Sequence, residues 1–364
     1  MGFTSECDGV AIAFLYLRNI VRRVVGEKRV LSAVLAAPVF LVGCGGAPSS
    51  TNLFGPVPPV TPPAPTINTA VTAKNIYSID GANQTVDVYA ANLNGTASPT
   101  SSYAGRALAV TGDSAGNIYI GTLSSTTSAV DVYTPGAVTA SRTVTVATAT
   151  INPPQISTLG VDSVGNLYVA ISGSIVVYGS GSKGSATPIR TLAGALTMLA
   201  PTPATQIAFD ASDNLFVATG GGYKGSQVIE FAAGASGNVA PTVITSAEYS
   251  PSGVALDTAG NIYIVQGSLA SSGNGTYLPA INVFAKGSVA NAAPSRTISG
   301  NNIGIKIYTD QIFVDSGGNI FVGATLSGGT EFLVYSATAT GNVGPSSTLV
   351  RSNGLTTDSQ FYVK

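Results

Sequence analysis

The side chains able to do chemistry are few, and several of them recur. Five aspartates, Asp113, Asp162, Asp210, Asp257 and Asp315, each stand four residues before an Asn and six before an aromatic residue. Carboxylates repeated around a ring could converge on a cation. An Asp that opens a tight turn instead accepts backbone N–H groups and does no chemistry. The constant offset in five copies favours the turn role, because a site breaks symmetry and a scaffold keeps it. Ser180-Gly-Ser-Lys183 has the spacing of a Ser-x-x-Lys nucleophile, but no Ser-Asp-Asn or Lys-Thr-Gly accompanies it and it falls in a loop. Gly220-Gly-Gly-Tyr-Lys-Gly225 lacks the spacing of a phosphate loop and the helix that should follow. The chain has no His, which removes Ser-His-Asp triads, Cys-His dyads and imidazole metal ligands. Its two Cys, at 7 and 44, cannot build a thiolate zinc site or a disulfide framework. Sixteen basic against 17 acidic side chains carry no nucleic-acid footprint, and no cofactor is expected.

The N-terminal part reads as an address. Arg18, Arg22, Arg23, Lys28 and Arg29 precede the apolar run Val30 to Val42. That run is too short to cross a bilayer as a helix, which takes about 20 residues, and it suits a signal-peptide core. Leu41-Val42-Gly43-Cys44 resembles the lipobox of bacterial lipoproteins. The resemblance implies cleavage after Gly43, a diacylglyceryl thioether on Cys44, and export to the cell envelope. It also implies an outer-membrane address in a two-membrane cell, since Gly45 is not Asp. Residues 1–17 place an apolar run ahead of the basic one, which points to a start nearer Val24 or Val25. Residues 1–43 are therefore expected to be the signal peptide and 44–69 a tether. Seven prolines, Pro48, Pro56, Pro58, Pro59, Pro62, Pro63 and Pro65, favour an extended polyproline spacer there.

From residue 70 to 364 the chain repeats. Each unit has an apolar strand, the Asp turn, a strand bearing the aromatic, a third strand ending at Tyr89, Tyr133, Tyr178, Phe231, Phe284 or Tyr335, and a fourth strand. Four short strands at a period of about 49 residues predict an all-β propeller of four-stranded antiparallel blades. The first copy, Lys74-Asn75-Ile-Tyr77, has no turn Asp before it, and the last, around Asp358 and Tyr362, stops within its first strand. The two ends are thus expected to share one blade, a Velcro-type closure giving six blades.

Gly160-Val-Asp-Ser-Val-Gly-Asn-Leu-Tyr-Val169 and Gly253-Val-Ala-Leu-Asp-Thr-Ala-Gly-Asn-Ile-Tyr-Ile264 resemble NHL-type bacterial propeller repeats. That resemblance implies the fold; such propellers include binding modules, scaffolds and a few enzymes. Similarity to gluconolactonase-type six-bladed enzymes would imply one metal in the channel held by Glu, Asp and Asn. Beyond residue 44 the only Glu residues are Glu230, Glu248 and Glu331, and the first and last fall in third strands.

The residues that break the repeat lie in the second-to-third and fourth-to-first connections, which share one face of a propeller. Tyr223, Lys224, Glu248, Tyr249, Tyr277, Lys306, Tyr308 and Asp310 are the aromatic and charged side chains there, and a ligand is expected among them. Residues 45–364 carry 11 basic and 14 acidic side chains, too few for strong steering of a partner. The expected function is a non-catalytic, membrane-anchored module, monomeric, binding a protein, glycan or envelope component. The alternative is a metal-dependent lactonase- or esterase-like hydrolase in the channel mouth.

Overall fold

Short runs of Val, Ile, Tyr and Phe between Gly, Asn and Ser turns dictate short strands. The computed structural model describes residues 63–146, 154–200, 203–220, 226–245, 251–266, 279–290, 292–305, 311–326, 329–352 and 360–364. Cys44, the signal segment and most of the tether lie outside the described residues. Among those described, the one helical element is a 3-10 turn at Ala195–Thr197.

Strands β1 (Thr66–Ile67), β2 (Asn75–Asp80), β3 (Thr85–Ala90), β4 (Leu93–Ala97) and β5 (Ser101–Ala104) come first. The second blade is β6 (Ala107–Gly112), β7 (Ile118–Leu123), β8 (Ser128–Tyr133) and β9 (Arg142–Val146). The third is β10 (Ile156–Val161), β11 (Leu167–Ile171), β12 (Ser174–Tyr178) and β13 (Arg190–Ala193). The fourth is β14 (Ala204–Phe209), β15 (Leu215–Thr219), β16 (Val228–Phe231) and β17 (Thr242–Val243). The fifth is β18 (Pro251–Leu256), β19 (Ile262–Gln266), β20 (Ala280–Phe284) and β21 (Arg296–Ser299). The sixth is β22 (Ile312–Val314), β23 (Ile320–Leu326), β24 (Gly329–Tyr335) and β25 (Ser347–Arg351), and β26 (Phe361–Val363) ends the chain.

The molecule is a six-bladed β-propeller. Its first blade has the order β26-β2-β3-β5, so the last strand of the chain is the innermost strand of the first blade. Ile76, Tyr77 and Ser78 oppose Val363, Tyr362 and Phe361. Further bonds run from Lys74 and Asn75 N–H to the Lys364 carbonyl and from Lys364 N–H back to Asn75. Six apolar clusters follow one another round the ring, each built from two adjacent blades. The cluster between the sixth and first blades holds Ile76, Tyr89, Phe321, Phe332, Leu349 and Phe361. Stacking these faces is what makes the fold, since a single twisted blade leaves both faces exposed.

One sheet departs from the four-strand expectation. Beyond β25, β4 pairs in parallel (Leu349 with Gly95, Arg351 with Ala97), and β1 pairs antiparallel with β4 (Thr66 with Asn94). Strand pairing therefore starts at Thr66, four residues ahead of the boundary at residue 70 read from the repeat. The parallel pair is the longest form of a latch found elsewhere. Gly184, Gly237 and Gly341, each in the third-to-fourth connection of one blade, bridge in parallel to Val144, Leu192 and Ile298 on the outer strand of the blade before. Each such Gly donates one backbone bond to the preceding blade and accepts one from it, so the outer edge of that sheet is partly covered. Gly300 ends β21 with φ of +128°, and a Cβ there would stand 2.5 Å from Asn342 Cγ of the next blade. Only glycine allows both the backbone turn and the bond from Asn302 N–H to Asn342 Oδ1 that fastens the fifth blade to the sixth.

Candidate binding surface around the central channel

The five repeated aspartates sit directly after the innermost strands. Each accepts its own blade's Asn twice, from the backbone N–H and from the side-chain amide, at 2.7–3.1 Å. Each also donates its own N–H to that Asn's carbonyl, closing the turn. In Asp315 the second oxygen accepts Thr72 N–H at 2.8 Å and Ala73 N–H at 3.3 Å, joining the last blade to the start of the first. These carboxylates are spent on turn geometry. Among the described residues no three His, Cys, Asp or Glu side chains cluster closely enough to hold a metal ion.

The aromatic six residues on extends this network where it is Tyr. Tyr119 and Tyr263 donate their hydroxyls to Asp113 and Asp257 at 3.0 and 3.1 Å. Arg142 and Arg296, opening the outer strands, donate in turn to those hydroxyls and lie 5.6 and 5.8 Å from the ring centroids. Their second amino groups cross to the next blade, reaching the carbonyls of Ser182, and of Ala337 and Ala339. Arg190 likewise bonds Tyr168 at 2.7 Å. Where the aromatic is Phe216 or Phe321, the matching outer-strand residue is Thr242 or Ser347. The Arg follows its Tyr by 23, 22 and 33 residues in the three blades, so spacing hides the pair and only the register of the blade makes it a contact.

Burial opposes ionisation of Asp113, but bonds from Asn117, Tyr119 and Gly116 outweigh it and hold the carboxyl below its ordinary range. Asp315 is held down in the same way, against its burial, by Asn319 and Thr72. Burial, helped by Asp113, pushes the Tyr119 hydroxyl up to about 12, and burial also raises Tyr335 and Tyr362. For the carboxylates the folded state binds fewer protons, so their stabilisation is present above the ordinary value of 3.8 and is lost as pH falls through the lower folded value. For the tyrosines the folded state keeps its protons. Their contribution is present below pH 10 and lost as pH rises toward the folded values. With no His, no side chain of ordinary pKa titrates between about pH 5 and 8. Urea midpoints are therefore expected to be level across that range, to fall below pH 4, and to fall above pH 10 together with the appearance of phenolate absorbance. A midpoint that shifts between pH 6 and 8 would contradict this assignment.

Inside the channel the innermost strands present unpaired edges, which need partners. In blades two to five a bulge at Leu108, Ser157, Thr205 or Ser252 interrupts the register of the innermost strand. The position after the bulge stands four residues before the turn Asp. There Gln206 accepts N–H bonds from Val254 and Ile312 at 3.1 and 3.0 Å and donates to the Ile312 carbonyl at 2.7 Å. Its amide thus ties three blades together across the channel. At the same level Gln311 donates to Gln360 at 2.7 Å and accepts Phe361 N–H at 2.7 Å. Sequence reasoning missed this ring. The position four before the turn Asp is Ala109, Thr158, Gln206, Gly253 and Gln311 in the five copies, so the repeat itself does not mark the amides.

On the turn side of Gln206 the channel opens into a cavity of about 250 Å³ walled by Val161, Phe209, Leu256, Phe313, Val314 and Tyr362. The ring of Tyr362 lies over Gly112, where a Cβ would meet it at 2.6 Å, so Gly112 makes the room for this wall. Phe209 and Leu256 also border a second cavity of about 300 Å³ between the turns of Asp210 and Asp257, with exposed Lys286. The loop residues expected to meet a ligand, Tyr223, Lys224, Glu248, Tyr249, Tyr277, Lys306, Tyr308 and Asp310, all lie outside the described residues. Glu230 and Glu331 are on β16 and β24, third strands of their blades.

No protein-family model matches the chain, and no curated protein matches it. Solved structures do. A protein of unknown function from Bacteroides caccae superposes with a TM-score of 0.54 at 12% identity, over 80% of this chain and 99% of that one. What is shared is the fold. A protein from Lactobacillus plantarum gives 0.49 at 11% identity over 80% and 99%, and hydrazine synthase of Kuenenia stuttgartiensis gives 0.47 at 14% over 71% and 73%. The ring is closed by β26 on β2, and the chemistry of its channel is that of its own residues.

Proposed function

We propose that the chain is an exported lipoprotein of the bacterial envelope, anchored through Cys44 and carrying an NHL-like propeller that binds a protein, glycan or envelope component without catalysis. The observation that carries this reading is the order of parts: basic stretch, apolar run, lipobox, Pro-rich spacer, then a closed ring. An acyl anchor gains about 0.8 kcal/mol per buried methylene, so the diacyl chains hold the spacer at a membrane while the ring stays in water. The turns keep one strict pattern, whereas the aromatic and charged residues that break it, from Tyr223 to Asp310, sit in connections assigned to the other face. That division suits a rigid frame presenting variable loops to one neutral polar partner.

The test is metabolic labelling in a bacterial host with a clickable fatty acid, followed by membrane fractionation. The wild-type chain is expected to take the label and sediment with membranes. Cys44→Ser is expected to lose the label and appear in the soluble fraction. Label retained by Cys44→Ser, or absent from the wild type, overturns the anchor.

A further inference from the structure

The innermost strands carry a second layer of backbone polar groups that face the channel. Asp113, Asp162, Asp210, Asp257 and Asp315 send their N–H groups into their own blades, to Asn117, Asn166, Asn214, Asn261 and Asn319. In an antiparallel pair the direction of these groups alternates along the strand. The residues just before, Gly112, Val161, Phe209, Leu256 and Val314, therefore turn their N–H and C=O toward the channel. Two residues further in, Val254 and Ile312 do the same, and those are the groups that bond the Gln206 amide. Gln206 thus displays what this wall recognises: a carboxamide that accepts from two blades with its oxygen and donates to a carbonyl with its nitrogen.

The outer layer repeats that arrangement of donors and acceptors inside the 250 Å³ cavity. Its side chains are Val161, Phe209, Leu256, Phe313, Val314 and Tyr362, which offer apolar and aromatic surface to the remainder of a ligand. The volume lies just below the ~300–1,000 Å³ of drug-sized sites, so it fits a fragment of about one ring. A carboxylate would face the wall carbonyls with lone pairs, and an ammonium would face the N–H groups with protons; a neutral amide satisfies both. The adjoining turn carboxylates Asp210 and Asp257 already accept three and four bonds within their own blades and add no demand for a cation.

We propose that the turn-side mouth of the channel binds a small neutral carboxamide with an apolar or aromatic body, its amide spanning the innermost strands one layer outside Gln206. This site lies beside the turns of the repeated aspartates and needs no lipid anchor, so it stands or falls apart from the function proposed above. The test is a titration of the full chain, 15N-labelled at Phe, Leu and Val, with benzamide, benzoate and toluene as probes. Benzamide is expected to give saturable shifts at the backbone N–H groups of Phe209, Leu256 and Val314, at concentrations at least tenfold below those at which benzoate or toluene does so. Toluene matching benzamide would reduce the mouth to an apolar slot and overturn the proposal. Benzoate matching it, or benzamide leaving those three N–H groups unmoved up to its solubility, would overturn it as well.

Discussion

Arg351→Met is expected to cost about 3–5 kcal/mol of stability, the penalty for stranding buried charges. Arg351 ends β25, and its side chain is fully buried between the sixth and first blades. One amino group stands 3.0 Å from Asp80 and 3.5 Å from Asp87, the other bonds Ser78 Oγ and the Ile79 carbonyl, and the guanidinium lies 6.0 Å from the Tyr89 ring centroid. Removing the cation leaves two carboxylates together in a site with almost no water. The triple variant Arg351→Met, Asp80→Asn, Asp87→Asn is expected to recover most of the loss, because it removes the uncompensated charge along with its partner. Urea unfolding followed by circular dichroism measures both. If the triple variant is no more stable than Arg351→Met, packing and not charge governs this seam. Added salt is expected to leave the wild-type value nearly unchanged, since a pair this deep is little screened.

Phe361→Ala is expected to cost a similar ~3–5 kcal/mol, the range for emptying a large aromatic from a core. Phe361 is completely buried in the closing strand, 4.9 Å from Phe313 and 5.1 Å from Phe332 by ring centroids. β26 has only three residues, so this ring supplies much of what keeps it in place. The loss should also be local in its first effects. Hydrogen exchange at Asn75 and Ile79, whose N–H groups bond Lys364 and Gln360, is expected to speed up more than exchange at β11 or β15. Equal acceleration everywhere would mean that the seam opens only with the whole ring.

The spacing of the repeat made much of the ring legible. An Asp, an Asn four residues later and an aromatic six residues later define a hairpin whose turn sets its own register, so five copies reveal five innermost and second strands. The missing turn before Asn75 and the incomplete copy at Tyr362 identify which strands the two ends exchange. Less legible were the contacts that cross blades. Gln206 meets Ile312 over 106 residues, and Arg351 meets Asp80 and Asp87 over more than 260. Nothing local marks those partners, since a lone Gln in a strand or an Arg at a strand end reads as a solvated side chain. β4 escaped notice for a related reason: Asn94-Gly-Thr-Ala-Ser-Pro99 has the composition of a connecting loop, and it becomes a strand only because β25 offers an edge to pair with.

The sequence alone determined the number of blades, the four repeated strands of each and the turn that the aspartates open, because these depend on interactions within a few residues that recur at a constant offset. Tertiary structure decided where the ring is fastened and where it opens: the Gln206 amide across the channel, the charged seam at Arg351, and the aromatic mouth beside the turns. Those features exist only once strands from distant copies face one axis, and their energies come from burial and from backbone groups that ring closure brings together.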